Sequence, residues 1–313
     1  MRRNALFVLA LLFTFVFLGC EKNPITPNDE PPIVTPPVIE SNLDFEVQTE
    51  VESNEIRELN QAMAAKGLMP TWVDGFRHKG GNSTQQYNEY LFNVVYTENT
   101  DDISWHLFLD LTKTQLEEKL LSFGADGFQA HQLESYWKDG KMRYAVILKE
   151  GVLAEQYFAI EKSNASYQQL FDDKVAEGYR LLSRSVLFDG DEKVVTALFG
   201  PNDVTSWRAF TTLDEAGIQE KMEVSKEAGR AAVYLDISQK GLTDDVRYSP
   251  IFANVPHSNW YALNKLDSDE MKAEINEARD NGYTVTFVCG YDEFGLVNGN
   301  EVHFLRYAVG FKK

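Results

Sequence analysis

Ser135-Tyr136-Trp137-Lys138 has the S-x-x-K spacing of a serine nucleophile with a lysine base. That chemistry needs both side chains on one face at the start of a helix. Here the match sits in a stretch leading into the turn Asp139-Gly140, and strand residues three apart point to opposite faces. The spacing therefore reads as chance. His78, His106, His131, His257 and His303 are scattered, and none has a second His or Cys at zinc-ligand spacing. His303 alternates with apolar neighbours and reads as half-buried packing. Asp101-Asp102 and Asp189-Gly190-Asp191-Glu192 offer oxygens to calcium without the EF-hand spacing, so they read as solvated turns. No G-x-S-x-G, H-E-x-x-H, C-x-x-C or glycine-rich phosphate loop occurs. The expectation is no catalytic residue, no metal and no cofactor.

Cys20 carries the clearest chemical signal. Met1-Arg2-Arg3 is a basic start, Ala5 to Leu18 is apolar, and Gly19-Cys20 closes the run. This is the pattern of a secretory signal. The run of about 14 residues is short of the ~20 that span a bilayer. Leu18-Gly19-Cys20 resembles the bacterial lipobox, which implies cleavage before Cys20 and lipidation of its thiol; Phe17 departs from the leucine usual there. The alternative is an ordinary signal peptide with a chance cysteine. Acyl chains would tether the protein to a membrane, each buried methylene contributing ~0.8 kcal/mol. Residues 1–19 are then signal and 20–40 a stalk, since Pro24, Pro27, Pro31, Pro32, Pro36 and Pro37 favour extended polyproline II. With Cys20 lipidated, Cys289 has no partner for a disulfide; it lies in an apolar stretch as a small buried hydrophobe.

The formal net charge is −18, and −20 once Arg2 and Arg3 leave with the signal. Such a surface repels phosphates, and no Lys/Arg cluster offsets it, so nucleic acid is not an expected partner. A solvated acidic surface explains the charge better than a cationic partner does.

The elements repeat. Gly67, Gly127, Gly178, Gly229 and Gly282 recur at about 51-residue spacing, with a longer first interval. Twenty-two residues before four of them stand Phe45, Trp105, Trp207 and Trp260; Tyr157 stands 21 before Gly178. Glu52, Thr112, Asp214 and Asp267 follow the aromatic by seven residues, with Ser163 one early, and most are helix N-cap types. Thr112…Gln115 and Asp267…Glu270 have capping-box spacing. Leu116/Leu120, Tyr167/Phe171, Ile218/Met222, Met271/Ile275 and Ile56 with Leu59 then line one helix face. The glycine ends each helix at a C′ position.

Two apolar strands follow each glycine, around Lys138-Asp139-Gly140, Asp189-Gly190-Asp191, Thr243-Asp244-Asp245 and Asn298-Gly299-Asn300. In the first copy the loop is longer, around Gly80-Gly81-Asn82-Ser83-Thr84. The predicted fold is α+β: five tandem β-α-β-β repeats, approximately 41–100, 101–153, 154–203, 204–256 and 257–313. Neighbours must stack to bury their apolar faces. The short run from each last strand to the next aromatic strand favours pairing across copies. That predicts one curved or closed, largely antiparallel sheet with helices on one face.

Ser206-Trp207 and Ser104-Trp105, Gly178-Tyr179-Arg180, the Asp-Gly turn, and the strands Tyr144-Ala145-Val146 and Tyr307-Ala308-Val309 resemble the bacterial tandem repeat domain. Similar repeats form the N-terminal half of polyglycine hydrolases, where a serine-β-lactamase-like domain follows. The fifth copy runs to Lys313, so that catalytic domain is expected to be absent. The resemblance implies a scaffold and not by itself a reaction. The aromatic column reads as packing between copies. Trp72 and Trp137 lie off it and are the candidate exposed ligand-binding aromatics. The expected function is a lipid-anchored, non-enzymatic scaffold of the bacterial cell envelope that binds a protein, peptide or glycan. A hydrolase or hydrolase-accessory protein with its site between copies, and a purely structural spacer, are the alternatives.

Overall fold

The computed structural model describes residues 44–82, 85–151, 155–240, 245–297 and 300–313. The signal, Cys20 and the stalk lie outside them, as do parts of three expected loops: Ser83-Thr84, Thr243-Asp244 and Asn298-Gly299. Five copies of strand, helix, strand, strand follow one another. Copy one is β1 (Phe45–Glu52), α1 (Ile56–Ala65), β2 (Leu68–Asn82) and β3 (Gln85–Glu98). Copy two is β4 (Trp105–Leu111), α2 (Lys113–Ala125), β5 (Phe128–Lys138) and β6 (Lys141–Glu150). Copy three is β7 (Tyr157–Ser163), α3 (Asn164–Ala176), β8 (Tyr179–Asp189) and β9 (Glu192–Pro201). Copy four is β10 (Trp207–Ala209), α4 (Glu215–Glu227), β11 (Ala231–Gln239) and β12 (Val246–Ala253). Copy five is β13 (Trp260–Leu266), α5 (Ser268–Asp280), β14 (Thr284–Val297) and β15 (Asn300–Lys312).

The helices start where capping chemistry puts them. Thr112/Gln115 and Asp267/Glu270 form reciprocal capping boxes, and Ser163 and Asp214 accept from backbone N–H groups three residues on. Copy one departs: its N-cap is Glu55, without a side-chain cap. The glycine after each helix has positive φ, 92° at Gly178, where a side chain would strain the backbone. Asp139 and Gly140 both have positive φ, as a two-residue hairpin turn requires.

One expectation is corrected. The copies do not share a continuous curved sheet; they form five separate three-stranded antiparallel sheets. The aromatic strand pairs with the last strand of its own copy, as Trp105 does opposite Lys149, which places that last strand in the middle of each sheet. The helix crosses over the middle strand and packs on its own sheet. The second strands, β2, β5, β8, β11 and β14, stand innermost. They contact one another in cyclic order, and β14 meets β2, so copy five lies against copy one. Neighbouring inner strands carry no backbone ladder between them; side chains join them instead.

Apolar packing runs through the same seams. Phe45, Trp105 and Trp260 of the aromatic column are buried, and Tyr157 and Trp207 are half-buried. Three of them sit against a neighbouring copy, with Phe171 on Trp207, Phe252 on Trp260 and the Arg279 guanidinium over Phe45, whereas Tyr157 packs on Tyr179 of its own copy. One core cluster takes in copies three to five together with Phe45, Trp72 and Val95 of copy one. The Tyr-Ala-Val strands gain a reason. Tyr144 donates to Glu161 of copy three at 2.7 Å, and Tyr307 donates to Glu50 of copy one at 2.6 Å. Glu50 and Glu161 occupy one column with Asp110, Thr212 and Lys265, all with φ between 51° and 59°. That left-handed conformation costs roughly 1–2 kcal/mol per residue, so the tyrosines hold a kink that the chain would otherwise relax.

Candidate functional site

Counting from each helix-ending glycine places the site. Four residues on stand Thr71, His131, Leu182, Val233 and Thr286. In every copy the antiparallel register skips this residue: between Pro70 and Trp72, Ala130 and Gln132, Leu181 and Ser183, Ala232 and Tyr234, Val285 and Phe287. Such a β-bulge leaves one residue unpaired and re-aims its side chain. Both flanking residues are buried in each copy, while the bulged residue is partly or fully open. All five line a single cavity of about 760 Å³.

The floor belongs to the next residue along. Trp72 is 3% exposed, donates its Nε1–H to Val288 O at 2.9 Å, and packs on Tyr234 with ring centroids 4.9 Å apart. Gln132 accepts from Val73 N at 2.8 Å and donates back to Val73 O at 2.6 Å. Ser183 Oγ accepts from Leu133 N at 3.1 Å. These bonds tie the inner strands of copies one, two and three each to the strand before it.

Seven residues after each glycine a second ring lies beneath: Asp74, Glu134, Ser185, Asp236 and Cys289, all buried. Ser185 Oγ accepts from Ser135 N at 3.0 Å, Asp236 Oδ2 from Val186 N at 3.1 Å, and Asp74 Oδ2 from Gly290 N at 2.8 Å. The last bond joins copy one to copy five. Glu134 accepts from Tyr234 at 2.8 Å, and the Cys289 thiol donates to Leu235 O. Burial pushes Asp74 up to about 7 and Asp236 up to about 8. Glu134 is raised by burial and by the charges of Asp236 and Asp74. Three carboxyls facing one axis therefore hold protons at neutral pH far more than free ones would. Beyond this ring, Asp292 accepts from Lys79 N at 2.9 Å and lies 2.6 Å from His78 Nδ1 and 3.3 Å from His303 Nδ1. The Asp292 partner raises the His78 pKa. This too is a copy-one-to-copy-five contact. Among the described residues, no three His, Cys, Asp or Glu side chains form a group suited to a metal.

At the mouth the groups stay available. His131 is open to the cavity but walled in by protein, and that crowding, together with Lys149, lowers its pKa, so the imidazole is neutral at pH 7. Burial lowers the Lys149 amine to about 8. Arg180 is paired with Asp203 at 2.6 Å. A cavity that carries one bulged residue from every copy, over a floor already satisfied by hydrogen bonds, is a property of the whole array. The family described as polyglycine hydrolase-like, structural repeat, matches the chain at residues 42–97, 161–201 and 257–307. Copies one, three and five are thus similar to that structural repeat. No curated protein matches the chain.

In these repeats the candidate residues fall in different places. Trp72 is not an exposed aromatic: it lines the cavity floor from a buried position. Trp137 is half-buried on the inner strand of its repeat, its Nε1–H donating to Phe188 O of the next repeat at 3.2 Å. Cys20 lies outside the described residues. Ser135 and Lys138 point apart: Ser135 is buried, while Lys138 reaches Ser53 and Asp110. Asp191 pairs with Lys240 across to the next repeat. Cys289 is fully buried. Two columns were missed, the fourth and seventh residues after each glycine, although their spacing stands in the sequence.

Proposed function

We propose that the protein is a non-catalytic repeat scaffold, closed by contact of copy five with copy one, that binds a ligand in its axial cavity. Five blade-like sheets around an axis are the radial arrangement in which repetition leaves only short edges. Cys20 and the proline stalk hold it at a membrane of the bacterial cell envelope. The single observation that carries the reading is the set of five equivalent bulges. They re-aim one residue per copy into one cavity, and bulges gather where proteins bind or react. The five residues stay partly or fully open to the cavity, as a recognition surface does and a packing column does not. A peptide suits this cavity better than a glycan. Sugar rings stack on open aromatic faces, whereas Trp72 and Tyr234 are 3% and 2% exposed with their polar tips already bonded. The matched family also carries the name of a hydrolase of a peptide, polyglycine.

Two experiments test the reading. Val233→Trp fills the cavity and is expected to abolish ligand binding with the fold intact; binding that survives removes the cavity from the account. Cys20→Ala is expected to move the protein from the detergent phase to the aqueous phase of cell extracts. A variant that still partitions into detergent contradicts the lipid anchor.

A further inference from the structure

Charge on the cavity wall runs against charge on the chain. The sequence holds 48 Asp and Glu against 30 Lys and Arg. The cavity wall holds Lys149, Arg180 and Lys312 against Glu150 and Asp203. Asp203 is 68% exposed and tied to Arg180, so it faces solvent more than cavity. Lys149 differs from the other two cations. It lies on β6 opposite Gln129, beside the bulged His131, and its amine is desolvated. Among the described residues no carboxylate pairs with it. A desolvated ammonium without an anion is costly to hold, and a ligand carboxylate would relieve it. His131 is not a competing cation, since its ring is neutral and hydrogen-bonds the Thr71 backbone. Thr71, Thr97, Thr284 and Thr286 line the same space with the apolar Leu182 and Val233; the Thr71 and Thr284 hydroxyls donate to Val95 O and Lys312 O and keep their acceptor side. Hydroxyls suit amide groups, and apolar walls suit small side chains.

We propose that the axial cavity takes the free carboxylate end of a short peptide, seated on the Lys149 ammonium. The inference rests on the cavity reading above and adds the chemical class of the ligand. A backbone carboxylate offers its acceptor oxygens to Lys149, and the peptide's amide N–H groups can donate to the threonine hydroxyls that line the cavity. An acidic chain would repel such a ligand elsewhere on its surface, so the cavity supplies both affinity and selectivity.

The test uses the full-length protein and two libraries of N-acetylated tetrapeptides, alike except for a C-terminal carboxylate or amide. Bound peptides are recovered by ultrafiltration and identified by mass spectrometry. Acids are expected to bind, and the matching amides to bind at least ten-fold more weakly. Lys149→Gln is expected to erase that difference without lowering the melting temperature. Val233→Trp, or Thr286→Tyr from another copy, is expected to abolish capture of both libraries. Equal capture of acids and amides by the unaltered protein overturns the carboxylate inference and leaves the cavity reading standing. Acid capture that survives both filled-cavity variants overturns the two together, as does capture of neither library. An oligogalacturonate that binds through Lys149 where the peptides do not overturns the peptide assignment.

Discussion

The cavity mouth and the ring beneath it lie a few residues apart on the same five strands, yet they use their side chains in opposite ways. At the seventh position Asp74, Ser185 and Asp236 reach across to the neighbouring copy and accept its backbone N–H groups. At the fourth position the bulged residues line an open cavity. The lower ring joins copies; the upper ring, apart from the His131 bond to the Thr71 backbone, is released from joining them. One repeat geometry thus separates the joining ring from the proposed recognition ring by three residues. A site in this protein is best sought where side chains are left over after the inner strands have been joined.

That contrast can be broken most strongly from below. A Cβ at Gly290 would come 2.6 Å from the Phe76 ring, where copy one packs on copy five, while a Cβ at Gly151 meets nothing within 4 Å. Gly290→Val is expected to lower stability by about 3 kcal/mol through overpacking. Gly151→Val should change it by less than about 0.5 kcal/mol. Denaturant midpoints compare the two, and equal losses would mean that the seam between copies five and one is loose. Next comes the joining bond. Asp236→Ala leaves the Val186 N–H buried without its acceptor, at a cost of about 2 kcal/mol. Asp236→Asn keeps an accepting oxygen and should lose much less.

A pH series sharpens the same point. Asp74, Glu134 and Asp236 have folded pKa values above their unfolded ones, so the folded state binds more protons from about pH 4 upward. Their contribution is complete below that pH and is lost as pH rises through about 7 and 8. His78, raised by Asp292, loses its contribution in the same direction. Stability is expected to fall by on the order of 2 kcal/mol between pH 5.5 and 8.5. The doubly altered Asp74→Asn, Asp236→Asn protein should show a flatter profile, and an unchanged slope would assign it to other groups. The mouth is expected to show no loss: Lys149→Gln should not lower the melting temperature, because it removes a desolvated charge that joins nothing.

Much of this architecture was legible because repetition writes it five times. The glycine period, the capping boxes of Thr112 and Asp267, and the apolar helix faces are local signals, and they led to the right elements. Strand order was not legible. An alternating strand satisfies pairing within its copy or across copies equally well, and the choice is made by helix packing over the middle strand. The site was hidden by its bulges. Thr71, His131, Leu182, Val233 and Thr286 share no chemistry, and a bulge is a matter of count, not residue type. Trp72 reads as an exposed aromatic in sequence because it stands off the aromatic column, but its inner strand is buried on both faces and Trp72 lies buried in the fold. The seventh column mixes Asp, Glu, Ser and Cys because any small acceptor or polar group can meet a neighbour's backbone there.

The central claim is that the five-copy mouth, and no other surface, receives the ligand. Amide NMR of the full chain during titration with a captured acid tetrapeptide tests it most directly. Shifts are expected to cluster at Thr71, His131, Leu182, Val233 and Thr286 and to leave the hairpin turn at Asp139 and the helices unmoved. Shifts centred on Trp137, the hairpin turns or the helix faces, with the five bulged residues silent, would contradict it.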